Sequence, residues 1–403
     1  MRNVFGLVAA VMLVAFTQGQ AQAEPVESKF KLSLGGYVKL DYVHQDTKLG
    51  QPLSMVIPAD GTTASKQDES IFTARQTRFS LRSTGPEVNG AKTSAFIEGD
   101  FYGGGGTNEA GNLRMRHAWL ALSWENTQAL FGQFWDIFAP AVASTVDFRS
   151  GQFTGNPNNP RVAQARITHN FRLNDDNGIR VIAGLQNPSQ NLIGAEYSGS
   201  MVNVAAQAML VSKSLGTSPG YWGLGMNPLT LGFFGLYGQS DVDETAGSSD
   251  LDVYGYGAYA FVPVLKSSDG KSRVMTLSLE TQAYVAAGLS QIAATAAQTV
   301  GPAGSRDAAK GYGAFGQLIF YPTQDLGFAA GYGRRNIMDS KDYTGAAEKY
   351  NEMYFGNVSY DWGHFRVAAE YQRLKTQYLA VPTGATGDSG TANVIRLAAT
   401  YFF

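Results

Sequence analysis

The sequence predicts an all-β fold, a transmembrane antiparallel β-barrel of about sixteen strands with an inward-folded constriction loop. Three observations predict it. Residues 393–403 read NVIRLAATYFF. Ile395, Leu397, Ala399, Tyr401 and Phe403 share one face there, and Val394, Arg396, Ala398, Thr400 and Phe402 the other. Period two marks a strand, and an apolar face ending on an aromatic suits an outer face in lipid with its last ring at the interface. The same alternation recurs along the chain, with no useful stretch of period 3.6. Linkers alternate between short and long, as on the two rims of a bacterial outer-membrane barrel.

The other end carries an export signal. Arg2 precedes a nearly unbroken apolar run over residues 4–16, and Ala21-Gln22-Ala23 is a small-x-small cleavage site. Residues 1–23 therefore read as a secretory signal peptide, and residues 24–403 as a single outer-membrane barrel. The 403 residues include 47 Gly and no Cys; aromatics make up 12% and charged residues 16%. An exported chain without disulfides suits a closed ladder, which restrains itself. After removal of Arg2 with the signal, thirty basic residues face thirty-three acidic ones, a formal charge of −3 that gives no sign of a nucleic-acid partner. Mean hydropathy is slightly negative. A barrel tolerates this because only alternate residues face lipid, and no apolar run after the signal is long enough for a spanning helix.

The strands follow one another from residue 30. Over 30–44, Phe30, Leu32, Leu34, Val38, Leu40 and Tyr42 oppose Lys31, Ser33, Lys39 and Asp41. Over 162–173, Ala163, Ala165, Ile167, His169 and Phe171 oppose Gln164, Arg166, Thr168, Asn170 and Arg172. Met275, Leu277 and Leu279 oppose Thr276, Ser278, Glu280 and Gln282; Phe365, Val367, Ala369 and Tyr371 oppose Arg366, Glu370 and Gln372. Tight turns are expected at 85–90, 125–126, 174–178, 269–270, 322–325 and 362–363. Long loops are expected at 45–70, 103–111, 135–161, 240–250, 288–310 and 379–391. Strand phase is poorly defined between residues 188 and 228.

No enzyme constellation is present. His44, His117, His169 and His364 are not paired at metal-ligand spacing, and no catalytic residue, metal or cofactor is expected. The glycine run 103–106 lacks the Lys-Ser/Thr of a phosphate loop. Asp241, Asp243, Glu244, Asp250 and Asp252 admit a calcium site or, more simply, a solvated surface loop.

Arginine placement says more. A charge facing hydrocarbon costs about 2–4 kcal/mol at mid-membrane, so strand arginines belong in the lumen. Phase points Arg78, Arg82 and Arg166 inward. Arg75 is out of phase, through a bulge or a position above the membrane. With Arg114, Arg116, Glu98 and Asp100 these residues form the candidate pore lining, as a structural ladder, a selectivity device or both. The 135–161 segment follows the fifth strand and exceeds what a hairpin needs. Its candidate constriction residues are Asp136, Asp147 and Arg149, with Trp135 and Phe138 as anchors. Folded inward it narrows the pore; outside it serves contact with a neighbour.

The runs GYVKLDY (36–42), ARQTRFSLRSTGP (74–86), FIEGDFYG (96–103), LRMRHAWLAL (113–122) and FGQFWDIF (131–138) resemble the DcaP-like trimeric porins. The likeness is concentrated in residues 36–171 and returns at the terminal Phe. It implies a sixteen-stranded homotrimeric channel in the outer membrane, set among lipid and lipopolysaccharide. Small solutes pass through it, often anions such as dicarboxylates, with Arg75, Arg78, Arg114 and Arg116 near the constriction. Residues 24–29 are too few for the helical N-terminal extension of some members. Passive diffusion is thus the leading function. A structural barrel that sheaths a periplasmic or electron-transfer partner, or an adhesin, is the alternative from another class. A barrel enzyme would need a triad that the four His do not supply.

Overall fold

Backbone polar groups in hydrocarbon all need partners, and a closed sheet supplies them without leaving an edge. The computed structural model describes residues 29–49, 56–147, 155, 160–188, 201–244, 247–289, 299–302, 305–343, 345 and 347–403. Its strands, in chain order, begin with β1 (Lys31–Gln45), β2 (Glu69–Thr73), β3 (Arg78–Thr84), β4 (Lys92–Gly103), β5 (Asn112–Ser123) and β6 (Thr127–Trp135). Next come β7 (Arg161–Arg172), β8 (Asn177–Gln186), β9 (Asn203–Pro219), β10 (Met226–Glu244), β11 (Gly247–Leu265) and β12 (Thr276–Ala287). The series ends with β13 (Thr299–Val300), β14 (Asp307–Ala308), β15 (Lys310–Tyr321), β16 (Leu326–Ile337), β17 (Glu348–Trp362), β18 (Phe365–Tyr378) and β19 (Ser389–Phe402).

β13 and β14 form a separate two-stranded ribbon, and the remaining seventeen strands make one sheet. β2 and β3 lie end to end along β1, with Thr73 opposite Asp41 and Arg78 opposite Tyr37. They are one stave broken at residues 74–77, so the sheet has sixteen staves. β19 pairs antiparallel with β1, from Tyr37–Phe402 to Gln45–Val394, and closes the barrel. Gly36 and Phe403 exchange main-chain hydrogen bonds of 3.1 and 3.2 Å at the end of that seam.

Side chains sort by phase. On β1, Leu32, Leu34, Val38 and Leu40 point outward and are exposed, Leu34 to 72%, while Lys39, Asp41 and Gln45 are buried inside. On β18, Phe365, Val367 and Tyr371 face out and Glu370 and Gln372 face in. On β19, Ile395, Leu397 and Tyr401 are exposed; Val394, Arg396 and Thr400 are buried. Lipid covers such an apolar face with no need for a second sheet.

The linkers follow the expected two-rim pattern with one correction. Residues 240–250 are not a long loop: β10 and β11 continue into an extended hairpin, Asp241 opposite Asp250 and Glu244 opposite Gly247. Paired backbone extends the stave beyond the apolar band, and strand pairing does not require apolar side chains there. Residues 188–228 yield β9 and the start of β10, in keeping with the count of sixteen.

Candidate permeation site

The 136–160 linker leaves β6, the fifth stave, and its first half runs inside the barrel. The wall holds it by its main chain. Gln186 accepts from the Ile137 N–H (3.0 Å), and Gln207 donates to the Ile137 carbonyl (2.5 Å). Gln282 accepts from the Ala141 N–H (3.2 Å). Gln317 both donates to the Val142 carbonyl (3.1 Å) and accepts from the Ser144 N–H (2.9 Å). Asn357 donates to the Ser144 carbonyl (2.6 Å), and Glu370 accepts from the Val146 N–H (3.0 Å). Lys39 and Gln76 finish the row on the carbonyls of Val146 and Asp147. A loop buried in a lumen has no ladder of its own, so side-chain amides take up its orphaned groups.

Apolar contacts fix the same path. Phe138, fully buried, meets Phe234 edge-on at 5.0 Å and Tyr284 at 6.1 Å. Ala141 and Ala143 pack with Phe315, Ile319, Met353 and Leu374. Asp147 faces Arg396 at 3.4 Å, as its sign requires, and Lys39 faces Asp41 at 2.7 Å. Both partners in each pair are buried. Trp135 lies under the guanidiniums of Arg116 (5.7 Å) and Arg161 (5.1 Å). Asp136 is buried with both carboxylate oxygens unpartnered among the described residues, and burial pushes its carboxyl well above the usual range. Arg149 lies outside the described residues.

The arginines gather on the wall across from this loop. Arg114 bonds both oxygens of Asp100 (2.9 and 2.6 Å); Arg116 bonds Glu98 (2.6 Å) and Asp100 (2.8 Å). Arg78 lies 3.6 Å from Glu98. Three guanidiniums thus share two carboxylates. A bulge at Glu98–Gly99 leaves Arg116 without a cross-strand partner in the register, so that Arg116 and His117 in succession both turn inward. Arg75 sits in the break between β2 and β3, donates to the carbonyls of Phe101 and Gly103, and covers Tyr102 at 4.7 Å. The break resolves its phase. Arg82 lies further toward the short turns and stacks on Phe96 (5.2 Å); Arg166 stacks on Phe134 (4.5 Å). Neither pairs with a carboxylate among the described residues. A cavity of about 560 Å³ separates Arg78 and Arg116 from Ala139, Pro140 and Val142 of the loop.

A second segment enters from the opposite rim, which the sequence does not announce. The β9–β10 turn folds into the barrel, with Trp222 4% exposed. Trp222 packs with Val146 of the loop and Ala398 of β19. Its carbonyl accepts from Arg366 Nη2 (3.1 Å), and the guanidinium lies 5.4 Å from its ring. Arg366 and Arg273 both bond Asp361. Trp222 has φ 50°, a left-handed backbone that costs a non-glycine residue about 1–3 kcal/mol. At Gly223 a Cβ would come within 2.6 Å of the Tyr321 hydroxyl, which excludes any other residue there without a shift.

A closed sixteen-stave barrel with an apolar exterior, a charged interior and an internal loop defines the outer-membrane barrel class. Neither family models nor curated proteins give a match to this chain. Among solved structures, the chain is similar to the outer membrane channel DcaP of Acinetobacter baumannii, at TM-score 0.70 and 18% identity over 95% of this chain and 100% of that one. It is also similar to an anion-selective porin from Comamonas acidovorans (TM-score 0.56, 11% identity, 93% and 100% covered). A trimer form of OmpT from Vibrio cholerae matches at TM-score 0.53 and 12% identity, with 93% and 100% covered. At these identities the likeness is one of fold.

Proposed function

We propose that this chain is an outer-membrane porin, a passive diffusion channel for small hydrophilic solutes with a preference for anions such as dicarboxylates. One observation carries the reading: Arg78, Arg114 and Arg116 outnumber Glu98 and Asp100 on the wall facing the internal loop. Arg82 and Arg166 add positive charge with no carboxylate beside them among the described residues. Positive charge in a narrow, low-dielectric passage concentrates anions and repels cations. The fold shared with an anion-selective porin supports the same direction. In this reading residues 1–23 are a signal removed on export and residues 24–403 form one barrel. It sits among lipid and lipopolysaccharide and assembles as a homotrimer, as the trimeric neighbour suggests.

Purified full-length protein in a planar bilayer tests this. The expected result is stepwise conductance with a reversal potential on the anion side in a potassium chloride gradient. Absence of steps from properly folded protein, or a cation-side reversal potential, overturns it.

A further inference from the structure

We infer that the β9–β10 turn is a second constriction, in series with the internal loop, and that Trp222 and Arg366 set what passes it. The inference rests on the channel reading above.

Two cavities meet at this turn. One, of about 560 Å³, lies between the loop and Arg78 and Arg116. The other, of about 640 Å³, is lined by Gly270, Lys271, Gln324 and Gly363, residues of short turns, and so opens at that rim. Leu224, Arg366 and Phe402 border both, so the turn together with Arg366 and Phe402 forms the partition. A solute moving from the cavity at the arginine wall into the second cavity passes the turn.

The turn is built to stay there. The Gly220 N–H bonds the Gly225 carbonyl at 2.9 Å and closes it, and Ser278 donates to the Pro219 carbonyl at 2.5 Å. Arg366 pins the centre from across the lumen by its bond to the Trp222 carbonyl. A short hairpin has no need of a left-handed tryptophan. Here that backbone carries the indole against Val146, so the two inward segments touch. The partition also has a sign: Arg273 and Arg366 share Asp361, which among the described residues leaves one guanidinium uncompensated beside the passage. It passes anions narrow enough to slip by the Trp222 ring and resists cations.

Single-channel recording of the full-length chain and of Trp222→Gly is the test. Glycine adopts φ near +50° without strain, so this variant removes the ring and keeps the backbone. A second variant replaces residues 221–224 by two glycines, and a heat-modifiable band on gels checks that each barrel is folded. The expected result is a conductance rise on the order of twofold, because the narrowest element dominates a series resistance. Conductance unchanged in both variants, with wild type conducting, overturns the second constriction and leaves the channel standing. Silence of all three folded proteins overturns the channel reading and the inference with it.

Discussion

Asp147 and Arg396 stand 3.4 Å apart inside the barrel, each with a side chain only 3% exposed. One belongs to the internal loop, the other to the strand that closes the sheet on β1. Loop position and barrel closure are thus joined by one buried ion pair. Removing one partner of such a pair costs about 3–5 kcal/mol, because the other is left charged and dry. Arg396→Met should therefore lower thermal stability in detergent, and Asp147→Asn in the same chain should restore most of the loss. A double variant as unstable as the single one would show that Arg396 acts through its other contacts.

Arg114 and Arg116 neutralise Asp100 and Glu98 as well as facing the lumen. Changing both to Ala removes two positive charges and frees two carboxylates. The reversal potential in a salt gradient should move toward cation preference, and more strongly at low ionic strength, where screening is weak. No movement in a folded double variant would make the arginines purely structural.

Shortening the loop across residues 141–150 removes the segment that Gln282, Gln317, Asn357 and Glu370 hold. Single-channel conductance should rise and size exclusion relax while the barrel persists. These contacts all lie within one chain, so subunit association in mild detergent should be unaffected. A trimer that falls apart at constant conductance per pore would reverse this view.

Asp136 gives a pH test with a definite sign. Its folded carboxyl holds its proton more tightly than the unfolded chain does. The folded state therefore binds more protons once pH exceeds the ordinary aspartate value. Stability must fall as pH rises from there through the raised folded value, by at most about 1.4 kcal/mol per unit. Asp136→Asn should flatten that slope between pH 4 and 7 and be neutral or stabilising at pH 7. Melting curves across that range check it, and equal slopes in both proteins would contradict it.

What alternation encodes, the sequence shows well. The two faces of β1, β7, β12, β18 and β19 follow from period two, and Trp135 and Phe138 are legible as loop anchors from their type. What breaks alternation does not show. The break at 74–77 and the bulge at Glu98–Gly99 shift phase, so a fixed period cannot place Arg75 or both Arg116 and His117. The acidic residues of 240–250 read as loop because polarity alone resembles a solvated linker, yet a stave can outlast the apolar band. The inward β9–β10 turn is the clearest miss. Gly-Tyr-Trp-Gly reads locally as a hairpin end, and its position depends on Arg366 more than a hundred residues later. The amides Gln186, Gln207, Gln282 and Gln317 alternate inward, but their role appears only once the loop's path is known.

That row of amides addresses main-chain groups almost throughout, from Ile137 to Asp147, and asks little of the loop's own side chains. The route is thus written largely into the wall, with Phe138 and Asp147 as the segment's own share. Residues such as Pro140 and Val142, which are half-buried and face the passage, are free to be rewritten in shape and charge while the strand of chain beneath them keeps its course. In the channel proposed above, this makes the filter an interchangeable part: new solutes would be admitted by editing a few positions, with no renegotiation of the barrel that carries them.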